Sequence, residues 1–296
     1  MRPVIGAMSN SAFIVLQLLN TFAIAGLLFL ISVGLTLIFG IMRIVNFAHG
    51  SLYMLGAYVG FSLTAWTGSY WVGLVVAPVL VGLAGLGIEA TALKPLYRRD
   101  AGAFLLVTFG LALVVGEAVR LGWGADARKL ELPVVLTGSV RVMSEAFPVY
   151  RLFLAGFGLA TAAALWLFLE RTRLGLLIRA TAQNSEMVGA LGTDVGWVRS
   201  GVFALGCGLA ALGGVMATPL VTANLGMGSN VIIDAFVIVI IGGLGSVVGS
   251  AIGSLLVGAV QTFGNFFLPD FALAASYIAM IAVLVVRPQG LFGAEE

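Results

Sequence analysis

The chemistry open to this chain is limited by a short inventory: one histidine, one cysteine and two lysines among 296 residues. Lys94 and Lys129, in "TALKPL" and "DARKLE", cannot complete a GxxxxGK[ST] loop, so the polypeptide has no P-loop with which to bind ATP. A zinc site takes three or four protein ligands, more than His49 and Cys207 supply, and no metal is expected. No nucleophile–base pair can be composed, so no catalytic residue and no cofactor are assigned, and a non-enzymatic role is expected. Glu89, Glu117 and Asp234 lie in or beside apolar runs. Coupled ion transport would place such acids deep in a span. Here each falls near an expected span end, where anchoring or capping is the simpler role, and this argues against a proton-driven carrier.

The remaining polar chemistry concentrates in "GIMRIVNFAHGSLYMLGAYVG", where Asn46, His49, Gly50, Ser51 and Tyr53 interrupt an apolar run. A broken membrane helix accounts for it. Non-helical backbone at membrane depth is tolerated only where protein or a water-filled cavity surrounds it. Asn46 and Ser51 can satisfy the freed backbone groups, and Gly50 allows close approach. The helix that follows begins with positive dipole character, favourable to a passing carboxylate. His49 has two roles open to it, a hydrogen bond that holds the break and direct contact with a solute. In either it is a wall residue of a pathway and not a proton carrier. A second glycine-rich interruption, Gly242, Gly243, Gly245 and Ser246, is expected to line the same route.

The elements that position these residues follow from composition. The chain is 60% hydrophobic and 9% charged, with forty glycines. Soluble domains carry about 25% charged residues, so this is an integral membrane protein of the all-α class. A formal charge of +2 is too small to suggest nucleic-acid binding. A span needs about 20 apolar residues, and charges act as punctuation: Arg151 and Glu170 bracket "LFLAGFGLATAAALWLFL". Counted this way, a polytopic bundle of about nine spans, with eight to ten acceptable, forms a single transmembrane domain over 1–296, with interrupted helices and inverted repeats. The repeat signal is that Gly50-Ser51 and Gly249-Ser250 each head a small-residue helix after a break. Lys94-Arg98-Arg99, the loop at 171–199, Arg43 and Arg287 fall on one side, which the positive-inside rule makes cytoplasmic. The N-terminus is then outside and the C-terminus inside. Arg2 precedes an apolar run in the manner of a signal peptide, but no polar domain follows, so a retained first span is expected.

The 171–199 loop contains a short, delimited helix. Asn184 or Ser185 can cap its start, Glu186 suits the dipole in its first turn, and Gly192 supplies its stop. Met187 and Leu191 share a face with Val188 or Ala190. Such a helix either inserts into a partner's groove or lies on the lipid surface as a connector.

The spacing from Glu186 to Gly192 matches the cytoplasmic coupling loop of bacterial ABC-importer permeases. "RTRLGLLIRATAQNSEMVGALGTDV" resembles that loop in the branched-chain amino acid (LivH-type) permeases. "GLTLIFGIMRIVNFAHGSLYMLGAYV", "AFVIVIIGGLGSVVGSAIGSLLVGAV" and "VVRPQGLFG" resemble the family's N-terminal, C-terminal and closing segments, in order and over nearly the whole chain. Met187-Val188 replaces the alanines of the general permease loop. The resemblance implies a multi-pass protein of the bacterial inner membrane, embedded in lipid, that pairs with a second, related LivM-like permease subunit. It also implies two cytoplasmic ATPase subunits, with Glu186, Met187, Leu191 and Gly192 as their coupling site, and a periplasmic substrate-binding protein. Substrates in such a family are branched-chain amino acids, or urea, amides and aromatic acids. Two other classes stay open on residues alone: a stand-alone secondary transporter or channel, and a membrane enzyme.

Overall fold

The computed structural model describes residues 10–97 and 99–293, so Arg2 and Arg98 lie outside it. Its helices are α1 (Asn10–Met42), α2 (Ala48–Thr67), α3 (Tyr70–Ile88), α4 (Ala101–Trp123), α5 (Val149–Arg171), α6 (Arg173–Gln183), α7 (Ser185–Ala190), α8 (Val195–Ala217), α9 (Met227–Gly242), α10 (Val247–Phe267) and α11 (Ala272–Val286). Strands β1 (Ser139–Val142) and β2 (Glu145–Pro148) pair antiparallel in the link before α5, a small addition to an all-α expectation.

The breaks sit where the backbone can turn. Arg43 adopts a left-handed conformation (φ 52°) directly after α1, and Gly68 (φ 69°) closes α2 with its amide on the Thr64 carbonyl. Among the described residues, six helices are long and apolar enough to cross a bilayer alone; α9 and α11 are apolar but shorter, and α2 is less apolar. The expectation of about nine spans is therefore met in number of elements, not in nine independent crossings. Of the other three, two begin inside the bundle and α11 is short.

The core is built around α1 and α8, whose most apolar windows are 78% and 67% buried. Small residues let the backbones meet: Gly26 lies against Leu154 and Gly158 of α5, Gly34 against Gly206, and Gly56 against Ala211. Lipid gives no hydrophobic push between helices, so close packing and interhelical hydrogen bonds carry the association. Ser32 and Thr36 of α1 bond Ser254 and Ser250 of α10, the first pair at 3.2 Å. Tyr150 joins three helices, donating to the Met216 carbonyl at 2.5 Å and meeting the Tyr70 hydroxyl at 3.2 Å.

The bundle has two distinct ends. At one, the β-hairpin loop pairs through Arg128 and Ala223 (2.8 and 2.9 Å), Trp123 donates to Ser62 at 2.6 Å, and Phe13 meets Phe266. At the other, Gly40 abuts Gly245, the amides of Leu291 and Phe292 bond the Ile241 and Gly242 carbonyls, and Ser200 bonds Glu89. This second end, the basic end, gathers Arg43, Lys94, Arg99, the 171–199 loop and Arg287, as the charge pattern predicts.

Two placements differ from expectation. Asp234 does not sit near a span end: it lies in the middle of α9, because that helix starts earlier than the polar stretch "TANLGMGSN" suggests. Glu89 does close α3, but it is buried there and not anchored at an interface.

Candidate functional site

After α1 ends at the basic end, residues 43–47 run back into the bundle, and α2 begins at depth. His49 fixes that depth. Its Nε2 donates to the Ile31 carbonyl of α1 at 2.9 Å, which lies roughly 17 Å from the end of α1 at 1.5 Å per residue. Gly34 leaves room for the ring, since a Cβ there would lie 3.0 Å from Cε1. The freed backbone is accounted for locally. The Ala48 amide donates to Asn46 Oδ1 (3.1 Å), the His49 amide to the Asn46 carbonyl (3.3 Å), and Thr108 of α4 to the Val45 carbonyl (3.3 Å). Ser51 donates to the Ala112 carbonyl at 3.1 Å, so α4 braces the break from outside. Asn46 and His49 are fully buried, and among the described residues Asn46 Nδ2 and His49 Nδ1 have no hydrogen-bond partner. Tyr53 is buried one turn further on.

A second break answers the first. Following α8, residues 218–226 return into the bundle and α9 starts. The Gly226 amide donates to Asn224 Oδ1 (3.0 Å) and the Met227 amide to the Asn224 carbonyl (3.2 Å), the same two bonds that Asn46 accepts. The chain reads Asn46-Phe-Ala-His-Gly50-Ser51 at one break and Asn224-Leu-Gly-Met-Gly228-Ser229 at the other. The two helix starts touch: a Cβ on Gly228 would lie 2.7 Å from the Gly50 carbonyl oxygen, and one on Gly50 would collide with the Gly228 carbonyl and sit 2.9 Å from Ile232 Cβ. From that contact α2 runs to the hairpin end and α9 to the basic end. With α3 and α10 continuing each half and α5 between them, the fold is an inverted repeat. Its register corrects the expected one. Gly50 corresponds to Gly228, whereas Gly249 packs on Gly242 inside the α9–α10 turn.

Of the second predicted cluster, Gly242 packs on Gly249, Gly243 (φ 100°) on Gly293, and Gly245 on Gly40; Ser246 caps α10, accepting from the Gly249 amide at 3.0 Å. These residues lie at the basic end, about 21 Å along α9 from Gly228 at 1.5 Å per residue. The structure does not bring the two clusters into contact. Sequence reasoning missed the open face between them, where Ser229, Asn230 and Ile233 of α9 are exposed and Asp234 is half-buried. The i, i+4 spacing of Asn230 and Asp234 was the available signal.

The short helix at the basic end is delimited on both sides. Asn184 Oδ1 accepts from the Met187 amide at 2.9 Å, Glu186 lies in the first turn, and Gly192 (φ 86°) reverses the chain while the Thr193 amide bonds the Val188 carbonyl. Val188 turns inward at 7% exposure, but Met187 and Leu191 are 58% and 79% exposed. Trp197, in the first turn of α8 capped by Asp194, adds another 58% exposed apolar side chain. Sequence reasoning missed Trp197, because a tryptophan beside a span reads equally as an interface anchor.

A family model described as the permease component of the branched-chain amino acid transport system matches residues 17–285. The chain is 30% identical over 298 residues to the high-affinity branched-chain amino acid transport system permease protein BraD of Pseudomonas aeruginosa, covering 95% of this chain and 96% of that protein. It is 28% identical to LivH of Escherichia coli K12 with the same coverage, and 29% identical to a probable LivH of Methanocaldococcus jannaschii over 92% of this chain and 90% of that protein. Among solved structures, PsaBC from Streptococcus pneumoniae in complex with Fab superposes with a TM-score of 0.48 at 14% identity, over 94% of this chain and 95% of that one.

Proposed function

This chain belongs to the family of branched-chain amino acid transport permease components, and from that premise we propose that it forms half of the translocation pathway of an ATP-driven importer. The solute is a branched-chain amino acid or a related small polar molecule. A second permease subunit, LivM-like, supplies the other half; two ATPase subunits dock at the basic end, which faces the cytoplasm, and a substrate-binding protein delivers at the hairpin end. There a cavity of about 660 Å³ is lined by Trp71, Lys129 and Glu131. The permease itself is non-catalytic, and it sits in the bacterial inner membrane with its N-terminus outside.

The observation that carries this reading is α7. Two large apolar side chains are presented outward, Met187 on a capped helix whose buried residue is Val188 and Leu191 at its C-cap. Burying them in a groove would contribute roughly 3–5 kcal/mol, less the entropy of ordering them. The route follows the open side of α9 from the Gly50–Gly228 contact towards Gly245. Exposed Ser229 and Asn230 at this depth need water or protein against them, not lipid. A pathway must cross about 30 Å of hydrocarbon, so clusters about 21 Å apart can serve one route at different depths: Asn46, His49, Gly50 and Tyr53, buried in this chain, back its middle together with half-buried Ser51, and Gly242 to Ser246 stand at its inner mouth.

The test is Leu191→Asp. ATPase subunits should no longer co-purify, or should hydrolyse ATP without uptake, while membrane insertion stays normal. If co-purification and uptake both survive, α7 is a surface connector and the reading fails.

A further inference from the structure

At the base of α3 the backbone leaves α-helical geometry twice in succession. Glu89–Leu93 forms a π-turn and Lys94–Leu96 a 3-10 turn. Such changes of hydrogen-bond register inside a helix mark hinges and functional sites. Glu89 opens the π-turn at 2% exposure. Two hydroxyls donate to its carboxylate: that of Tyr97 to Oε1, and that of Ser200 on α8 to Oε2 at 2.7 Å. Burial and the adjacent Glu89 carboxylate push the Tyr97 phenol far above its ordinary range, so Tyr97 remains a donor.

Tyr97 is also a crossing point. Its ring stacks on Phe104 of α4 with centroids 6.2 Å apart, and the Arg199 guanidinium lies 5.2 Å from the ring centroid. Arg199 in turn reaches the hydroxyl of Ser185, the first residue of α7, at 3.5 Å. One polar cluster therefore touches the bases of α3, α4 and α8 and the head of α7. An apolar cluster of the same size would hold these helices with less desolvation cost. What a polar one adds is direction, because its hydrogen bonds fix the helix bases at set distances and angles.

We propose that this cluster is the joint through which α7 moves the rest of the permease. Glu89 and Tyr97 are positioning residues that carry a displacement of α7, through Arg199 and Ser200, to α3 and α4. The chain joins α7 directly to α6 and α8 but not to α3 or α4, so α3 and α4 depend on such a link. The consequence reaches the route, since α4 braces the first break through Thr108 and Ala112. The inference rests on α7 being the ATPase-docking helix.

The test uses the assembled importer in proteoliposomes with its binding protein, measuring solute taken up and ATP hydrolysed in the same vesicles. Glu89→Gln and Tyr97→Phe should leave the ATPases bound but lower solute moved per ATP by at least about fivefold, the low end of coupling between distant sites. A merely structural role would lose uptake and hydrolysis together and leave the ratio unchanged, which would overturn the proposal. So would a wild-type ratio in Tyr97→Phe, the milder variant, which removes one oxygen and keeps the stacked ring. Leu191→Asp, run in parallel, separates the two levels. If it retains bound ATPases and uptake, the docking reading itself fails. If it loses them while the Glu89 and Tyr97 variants keep the wild-type ratio, the joint alone is refuted.

Discussion

Gly50 and Gly228 meet backbone to backbone where two helices start, and neither position has room for a side chain. Overpacking a tight contact costs about 1–3 kcal/mol, and here it would force apart the two half-helices that frame the route. Gly50→Val and Gly228→Val should each abolish uptake while the ATPases still co-purify. Gly122→Val, at an exposed glycine with open space around it, should transport normally. Uptake at the wild-type level in both of the first two variants would contradict the crossing. Gly50 was legible in the sequence because Asn46, His49 and Ser51 surround it with polar atoms. Gly228 was not, since it is one of forty glycines and stands in the polar stretch "TANLGMGSN". His49 illustrates a different limit. The residue stands out at once in an apolar run, but its bond to Ile31 connects positions whose proximity follows only from the chain turning back after Arg43.

The short element α7 could be read from the sequence almost to its ends, because caps and stops are local chemistry: Asn184, Glu186 and Gly192 act within a few residues of themselves. What the sequence withheld is which side chains point away from the bundle, and that depends on how α6 and α8 hold the helix. The joint at Glu89 was hidden for the same reason, since Ser200 and Arg199 come from a distant part of the chain. The β-hairpin at 139–148 is too short to leave a period-2 signature. Orientation makes a prediction at this scale. Cys207 is fully buried, and in a Cys207→Ala background a cysteine at exposed Ser139 should react with an impermeant thiol reagent added to intact cells. One at Leu176 of α6 should react only after lysis. The reverse pattern would invert the proposed topology.

At the scale of the whole molecule, two half-crossings diverge from one contact, and α1 and α8 stand beside them as the long central helices. This inverted repeat gives the chain two arms of opposite direction about a shared pivot, the arrangement that alternating access uses in many transporters. Composition announced a membrane bundle and the paired interruptions announced a repeat. The register of that repeat needed the folded contact, because several Gly-Ser pairs compete for it. The rival reading, a channel or carrier working alone, shares the bundle but has no use for an exposed apolar helix at the basic end. Reconstitution decides between them. With the second permease, both ATPases and the binding protein present, vesicles should accumulate leucine only when ATP is supplied on the ATPase side, and not at all when the ATPases are omitted. Leucine uptake by the permease chains alone, independent of ATP, would contradict the account.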